Sequence, residues 1–295
     1  MVEFGDDSSL TGQDAVDGLV RLLDLEQIEQ DVFRGDIIRS RRMRTFGGQV
    51  AGQALVAAGR TVPAERHVHS LHSYFVRPGD STTPIVYEVD RVRDGRSFST
   101  RRVVAVQHGE TIFSLSASFQ LAQEGIEHQS SMPDVPDPET LAPLAERYAT
   151  TDAAAEFYRA MPKPIDLRYV DPPTWEQAEL GPRPALTRVW LRADGVLPDD
   201  PLLHDCVLTF ASDMTLLDSV LARHGIAPGV HEVAMASLDH AVWFERPFRA
   251  DEWLLYSTKS PSASGGRGLA TGRFFGRDGT QVASVVQEGM IRVRR

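Results

Sequence analysis

Phe75-Val76-Arg77-Pro78 and Phe244-Glu245-Arg246-Pro247 are near copies of each other, 169 residues apart. Each closes a strand-like run and leads into a proline break. Farther along, the turn glycines Gly109 and Gly279 keep nearly the same separation, at 170. Around the first copy, strands are predicted over Val68–Val76, Pro84–Arg93, Ser97–Gln107 and Thr111–Leu121, with turn signals at Asp94-Gly95 and His108-Gly109. Ahead of them Thr45–Gly59 runs from two glycines into small apolar residues and reads as a close-packing helix that stops at Gly59. Around the second copy the order recurs. A strand over Thr187–Arg192 precedes one helix over His204–His224, stopped by Gly225, and four strands across 233–295. A helix followed by an antiparallel meander, twice, is a duplication too long for a solenoid. Each half must bury its helix against one sheet, so the fold class is α+β.

Residues 15–28 place Val16, Leu19, Val20, Leu23 and Ile28 at near-helical spacing and predict an opening amphipathic helix. Residues 126–186 hold ten of the eighteen prolines. The organisation is therefore an N-terminal unit over 1–125, a proline-rich connector over 126–160 and a C-terminal unit over 161–295. Within the connector region Glu139–Arg159 has a helical pattern with Leu141, Leu144 and Tyr148 facing inward.

At 295 residues with 42% apolar and 24% charged residues, the chain can bury a core without staples. Thirty-one Lys+Arg against forty-one Asp+Glu give a net charge of −10, which counts against holding nucleic acid by bulk charge. A polyanionic small ligand needs only a few arginines. The lone Cys206 excludes an intrachain disulfide and reads as a buried small hydrophobe. The acidic opening residues lack a signal peptide's pattern, no apolar run reaches membrane-spanning length, and Val293-Arg294-Arg295 is no peroxisomal address. The expectation is a cytoplasmic protein without membrane contact.

His67, His69 and His72 cluster, but only the first two share a strand face and no third ligand is near, so a solvated strand end is preferred to a metal site. No G-x-S-x-G or phosphate-loop motif occurs. Gly47-Gly48 before a helix fits either close packing or a helix start facing a developing oxyanion. Three polar residues sit in apolar runs: Asp213, Ser237 and Gln287. Burial of such groups requires partners. Taken singly, each also fits a plain role: a mid-helix hydrogen bond, a strand hydroxyl, a solvent-facing amide.

The blocks FGGQVAGQAL (46–55), HSLHSYFVRPGD (69–80), LRAD (191–194), ASDMTLL (211–217), SLDHAVWFERPF (237–248), EWLLYS (252–257) and VASVVQEGMIR (282–292) together resemble the acyl-CoA thioesterase II family. The resemblance runs from about residue 18 to the C-terminus. It implies two tandem hot-dog domains, each a helix wrapped by an antiparallel sheet. It also implies hydrolysis of fatty acyl-CoA to fatty acid and coenzyme A, without cofactor or metal. The family's catalytic Asp and Gln map onto Asp213 and Gln287, and its hydroxyl position, often Thr, onto Ser237. Asp213 would then take a proton from a water that Ser237 and Gln287 orient. Oxyanion donors are expected from backbone N–H groups near Gly47-Gly48 or Asp213, and Arg96, Arg101, Arg267 and Arg273 are candidates for the coenzyme's phosphates. The alternatives on this fold are a non-catalytic acyl-CoA binder and an acyl-thioester hydratase or dehydratase. The latter needs a His or an Asp–His dyad, for which the duplicated strands offer no matching pair around His72 or His240. Assembly into a homo-oligomer of two or four copies is expected.

Overall fold

The computed structural model describes residues 10–38, 44–148, 163–176, 180–228 and 231–293. Helix α1 (Gly12–Leu23) buries Val16, Leu19, Leu22 and Leu23 along one stripe. It ends before the predicted Ile28, which lies on the exposed strand β1 (Glu26–Glu29), followed by β2 (Val32–Gly35). Helix α2 (Gly47–Gly59) is buried on nearly every side. Gly59 is not a left-handed stop, because Arg60 remains right-handed and its N–H bonds the Val56 carbonyl. A Cβ on Gly59 would sit 2.4 Å from Leu202, so packing is what that position demands.

Strands β3 (Arg66–Phe75), β4 (Ile85–Asp94), β5 (Phe98–Gln107) and β6 (Glu110–Leu121) form the first meander. After a single turn at Pro138–Thr140 comes the short helix α3 (Leu144–Tyr148). The helix predicted over Glu139–Arg159 is thus shortened, since Pro143 cannot carry a helix through from Glu139. Its remainder lies outside the described residues. Leu144 is nonetheless buried, and Tyr148 stacks on Trp175 at 4.2 Å.

Then follow β7 (Ile165–Tyr169), β8 (Leu186–Ala193), α4 (Pro201–Ser212), α5 (Asp218–His224), β9 (Val233–Ser237), β10 (Asp239–Phe244), β11 (Leu254–Ser264), β12 (Arg267–Gly276) and β13 (Gln281–Val293). Two predictions change here. The helix expected over His204–His224 is broken in two, although Gly225 does stop it at φ 62°. At the break the chain tightens into turns, with the Met214 N–H on the Ala211 carbonyl and the Asp218 N–H on the Thr215 carbonyl, and the Tyr256 hydroxyl donates to the Ser212 carbonyl at 3.1 Å. The four strands expected over 233–295 are five, because the register on β13 shifts by one between Ser237↔Gly289 and Ala241↔Val286. Leu238 marks this bulge-like offset. It donates its N–H to Glu288 and accepts from Phe75.

All thirteen strands form one antiparallel sheet in the order β1-β2-β4-β5-β6-β3-β10-β13-β12-β11-β8-β7, with β9 also on β13. That order is a palindrome about the β3–β10 pair, where Ser73 faces His240 and Leu71 faces Val242. The starts of β4 and β11, and of β5 and β12, are both 169 residues apart. Helices α2 and α4 start only 154 apart, because the second half inserts α5 between helix and meander. Helix α2 lies on the first meander and against α4, while α5 covers β8, β11 and β12. The α2–α4 approach is nearly backbone to backbone: a Cβ on Gly48 would come within 2.3 Å of the Phe210 carbonyl oxygen. Two glutamines pin α2 in place, and the first, Gln49, donates to the Asp36 carbonyl at 3.1 Å. Gln53 donates to the Leu22 and Asp36 carbonyls (2.7 and 2.8 Å) and accepts from the Tyr87 hydroxyl (2.7 Å).

Candidate active site

Asp213 caps the C-terminus of α4 with right-handed backbone angles, at the break beside which Tyr256 bonds the Ser212 carbonyl. From there its carboxylate reaches three other elements. At Oδ1 it accepts from Ser237 Oγ (3.1 Å), at the end of β9, and from Gln287 Nε2 (2.9 Å), on β13. Gln287 Nε2 also donates to Ser237 Oγ at 2.6 Å. The backbone N–H of Gly48, in the first turn of α2, bonds the same carboxylate. Gly47 is needed here because a Cβ would lie 2.6 Å from Asp213 Oδ2 and 2.8 Å from the Phe75 ring. The structure therefore brings together Asp213, Ser237, Gln287, Gly47 and Gly48, five residues spread over 241 positions.

Burial pushes the Asp213 carboxyl above its ordinary range, while His240, Gln287, Ser237 and the Gly48 amide pull it down. The net effect is upward, making the carboxylate a stronger base than a solvated one. His240 was set aside on sequence grounds, yet it lies behind this cluster. It is fully buried, with Nδ1 2.6 Å from Gln287 Oε1 and Nε2 2.8 Å from Ser212 Oγ. Burial lowers its pKa. The signal was legible only as SLDH following a candidate serine.

Asp213, Ser237 and Gly47 line a cavity of about 810 Å³, whose other walls include Val50, Phe75, Ile112, Phe113, Leu167 and Phe210. Both halves contribute. Gln287 and His240 are absent from the lining, and no histidine lines the cavity among the described residues. Its cationic residues are Arg44, Arg77 and Lys163.

None of the four arginines singled out from sequence lines the cavity. Arg101 is 1% exposed, bonding Thr61 Oγ1 and O (2.8 and 2.9 Å) and both Asp94 carboxylate oxygens (2.8 and 3.1 Å). It holds the β4–β5 turn instead. Arg267 pairs with Glu288 at 2.9 Å on the outer face. Arg96 and Arg273 are exposed elsewhere on the first and second meanders. Arg44, which does line the cavity, follows Arg39, Arg41 and Arg42 in the sequence just ahead of Gly47.

The histidine cluster separates. His69 meets Ser118 Oγ at 2.8 Å, His72 sets its ring edge-on to Trp243 at 5.0 Å, and His67 is exposed. Cys206 is fully buried, and burial raises its thiol pKa. No described helix is long and apolar enough to cross a membrane.

Residues 163–290 match the acyl-CoA thioesterase family and residues 39–120 match the acyl-CoA thioesterase N-terminal domain. Mouse acyl-coenzyme A thioesterase 8 is 44% identical over 289 residues, spanning 92% of this chain and 88% of that protein. The crystal structure of acyl-CoA thioesterase II TesB2 from Mycobacterium marinum is 48% identical, with a TM-score of 0.77, covering 94% of this chain and 98% of that one. A conserved protein with the hot-dog fold from Alicyclobacillus acidocaldarius shares the architecture at 20% identity, with a TM-score of 0.75 over 94% of this chain and 99% of that one. The fold is accordingly a double hot-dog, and the chain belongs to the acyl-CoA thioesterase II family of thioester hydrolases.

Proposed function

We propose that this protein hydrolyses fatty acyl-CoA to free fatty acid and coenzyme A, with Asp213 as general base. A water held on the Asp213 carboxylate loses a proton to it and attacks the thioester carbonyl. Ser237 Oγ, which lines the cavity beside Asp213, orients that water. Gln287, from behind, fixes both oxygen-bearing groups. The N–H of Gly48 already bonds Asp213. The oxyanion is therefore assigned to the remaining unbonded N–H groups in the first turn of α2, where Gly47 lines the cavity. The acyl chain occupies the apolar cavity, and Arg44 and Arg77 meet the coenzyme's phosphates. Arg77 already bonds Glu110 at 2.8 Å, which leaves Arg44 the freer of the two. The two units are assigned to 1–125 and 161–295 with the connector at 126–160.

One observation carries this reading: a half-buried carboxylate with a raised pKa, bonded by Ser237, Gln287 and a helix start, opens on an apolar cavity. The hydratase reading is disfavoured because His240 faces Gln287 and not the cavity. Substitution Asp213→Ala should lower thiol release from a panel of acyl-CoAs about 10²–10⁴-fold, the usual worth of a positioned base, while the melting temperature stays near wild type. Turnover within a few-fold of wild type would remove Asp213 from the mechanism.

A further inference from the structure

We infer that His240 is a positioning residue, which fixes the Gln287 amide so that both its N–H groups point at Asp213 and Ser237. The inference rests on the reading of Asp213 as base. Its ground is proton accounting. Gln287 Oε1 can only accept, so the 2.6 Å contact with His240 Nδ1 is a hydrogen bond only when Nδ1 carries a proton. With Nδ1 donating to Oε1, the amide nitrogen is turned toward Asp213 Oδ1 and Ser237 Oγ, both of which need donors there. The flipped amide would set an acceptor against a carboxylate and leave its N–H₂ facing a ring N–H. Gln287 is 1% exposed, so no solvent offsets the wrong orientation.

The far side of the ring is held as firmly. Ser212 Oγ lies 2.8 Å from His240 Nε2 and 2.9 Å from the Thr209 carbonyl oxygen, and it has one proton to give. Given to Nε2, that proton leaves a neutral ring protonated at Nδ1. Given to Thr209, it leaves a lone pair that accepts from a ring protonated at both nitrogens. Nδ1 keeps its proton in both arrangements, and no heavy atom moves. The backbone that carries the ring is held as well, because Ser73 Oγ, on β3, donates to the His240 main-chain carbonyl at 2.8 Å. Two charged groups act on the ring: Asp213 from the break after α4, and Asp239 on its own strand. A chain Ser212–His240–Gln287 thus runs from the last residue of α4 to the two groups that face the cavity.

The test compares His240→Leu with His240→Asn, since an asparagine amide nitrogen takes the place of ring Nδ1 and can donate to Gln287. His240→Leu should lower kcat about 100-fold with KM within about two-fold, because misplacement of a reacting group by about 1 Å costs that much. His240→Asn should recover kcat to within about ten-fold of wild type, since it restores the one bond that matters. Equal kcat in the two folded variants, a KM that rises in step with the fall in kcat, or a His240→Leu enzyme near wild type would each overturn the inference. On the unmutated protein, ¹⁵N spectra of labelled histidine give a second readout that does not depend on the activity of either variant. A protonated Nδ1, assigned by the signal lost in His240→Asn or His240→Leu, is expected, and an unprotonated Nδ1 overturns the inference. Failure here with an inactive Asp213→Ala enzyme removes only His240, whereas an active Asp213→Ala enzyme removes the base itself.

Discussion

Asp218 is the second carboxylate in the cavity wall, five residues from Asp213, and the two are treated very differently. Asp213 is met by three donors; Asp218 accepts from the Tyr169 hydroxyl at 3.1 Å. Burial therefore dominates and lifts its pKa to about 7. The folded chain then holds the Asp218 proton more tightly than the unfolded chain, whose carboxyl titrates near 3.8. Stability is lost as pH rises from about 4 to about 7, and stays at the lower level above that. Asp218→Asn removes the ionisation and keeps an acceptor for Tyr169. Its melting temperature should exceed wild type by a gap that widens from pH 4 to pH 8, reaching on the order of 2–4 kcal/mol in stability. Parallel melting curves across that range would contradict the assignment. Arg101 makes the opposite point: an arginine enclosed by Thr61 and Asp94 has its donors occupied and serves the fold.

At the scale of elements, the meeting of α2 and α4 decides whether a site exists. Gly48 gives Asp213 its backbone N–H and lets the Phe210 carbonyl approach to a distance no Cβ tolerates. Gly52, one turn on, leaves 3.2 Å to the Cys206 carbonyl and is less constrained. Gly48→Ala should therefore push the helices apart, costing about 1–3 kcal/mol of stability as overpacking does, with a disproportionate loss of kcat. Gly52→Ala should lose less of both. A Gly48→Ala enzyme with wild-type kcat would show that the helix start is not part of the site. The break between α4 and α5 belongs to this scale too, since a helix continued through Asp213 would carry its carboxylate along the helix face.

The whole molecule behaves as one sheet. Leu71 and Val242 pair across the β3–β10 seam, both fully buried, and the cavity draws its wall from both sides of it. The polar cluster is likewise shared, with Gly48 from the first half and Asp213, Ser237 and Gln287 from the second. Unfolding should be a single calorimetric transition. Leu71→Ala should lower that transition by about 2–5 kcal/mol without splitting it, as for other buried leucines. Two resolved transitions would show that the halves are energetically separate.

The duplicated helix-and-meander order was legible in the sequence because period-two alternation, turn glycines and a small-faced helix are local signals. Asp213, Ser237 and Gln287 stood out singly as polar residues in apolar runs, and the resemblance is what joined them into one site. Short strands such as β1, β2 and β7 left too few residues to show a period. The end of α4 was hidden because it falls inside an apolar run with no glycine or proline to mark it. Its contacts, such as the Tyr256 hydroxyl 44 residues away on the Ser212 carbonyl, are long-range. The four arginines failed for a related reason, since charge is visible in a sequence but which side of a sheet it faces is not. His240 sat in a quoted block, yet its role depends on Gln287 and Ser212 from two other elements. The sequence by itself determined the two-fold α+β plan and the polar residues in apolar runs, because short-range periodicity governs both. Only the tertiary structure decided which of those residues meet, because long-range packing alone sets hydrogen bonds between a helix end, a strand bulge and a buried ring.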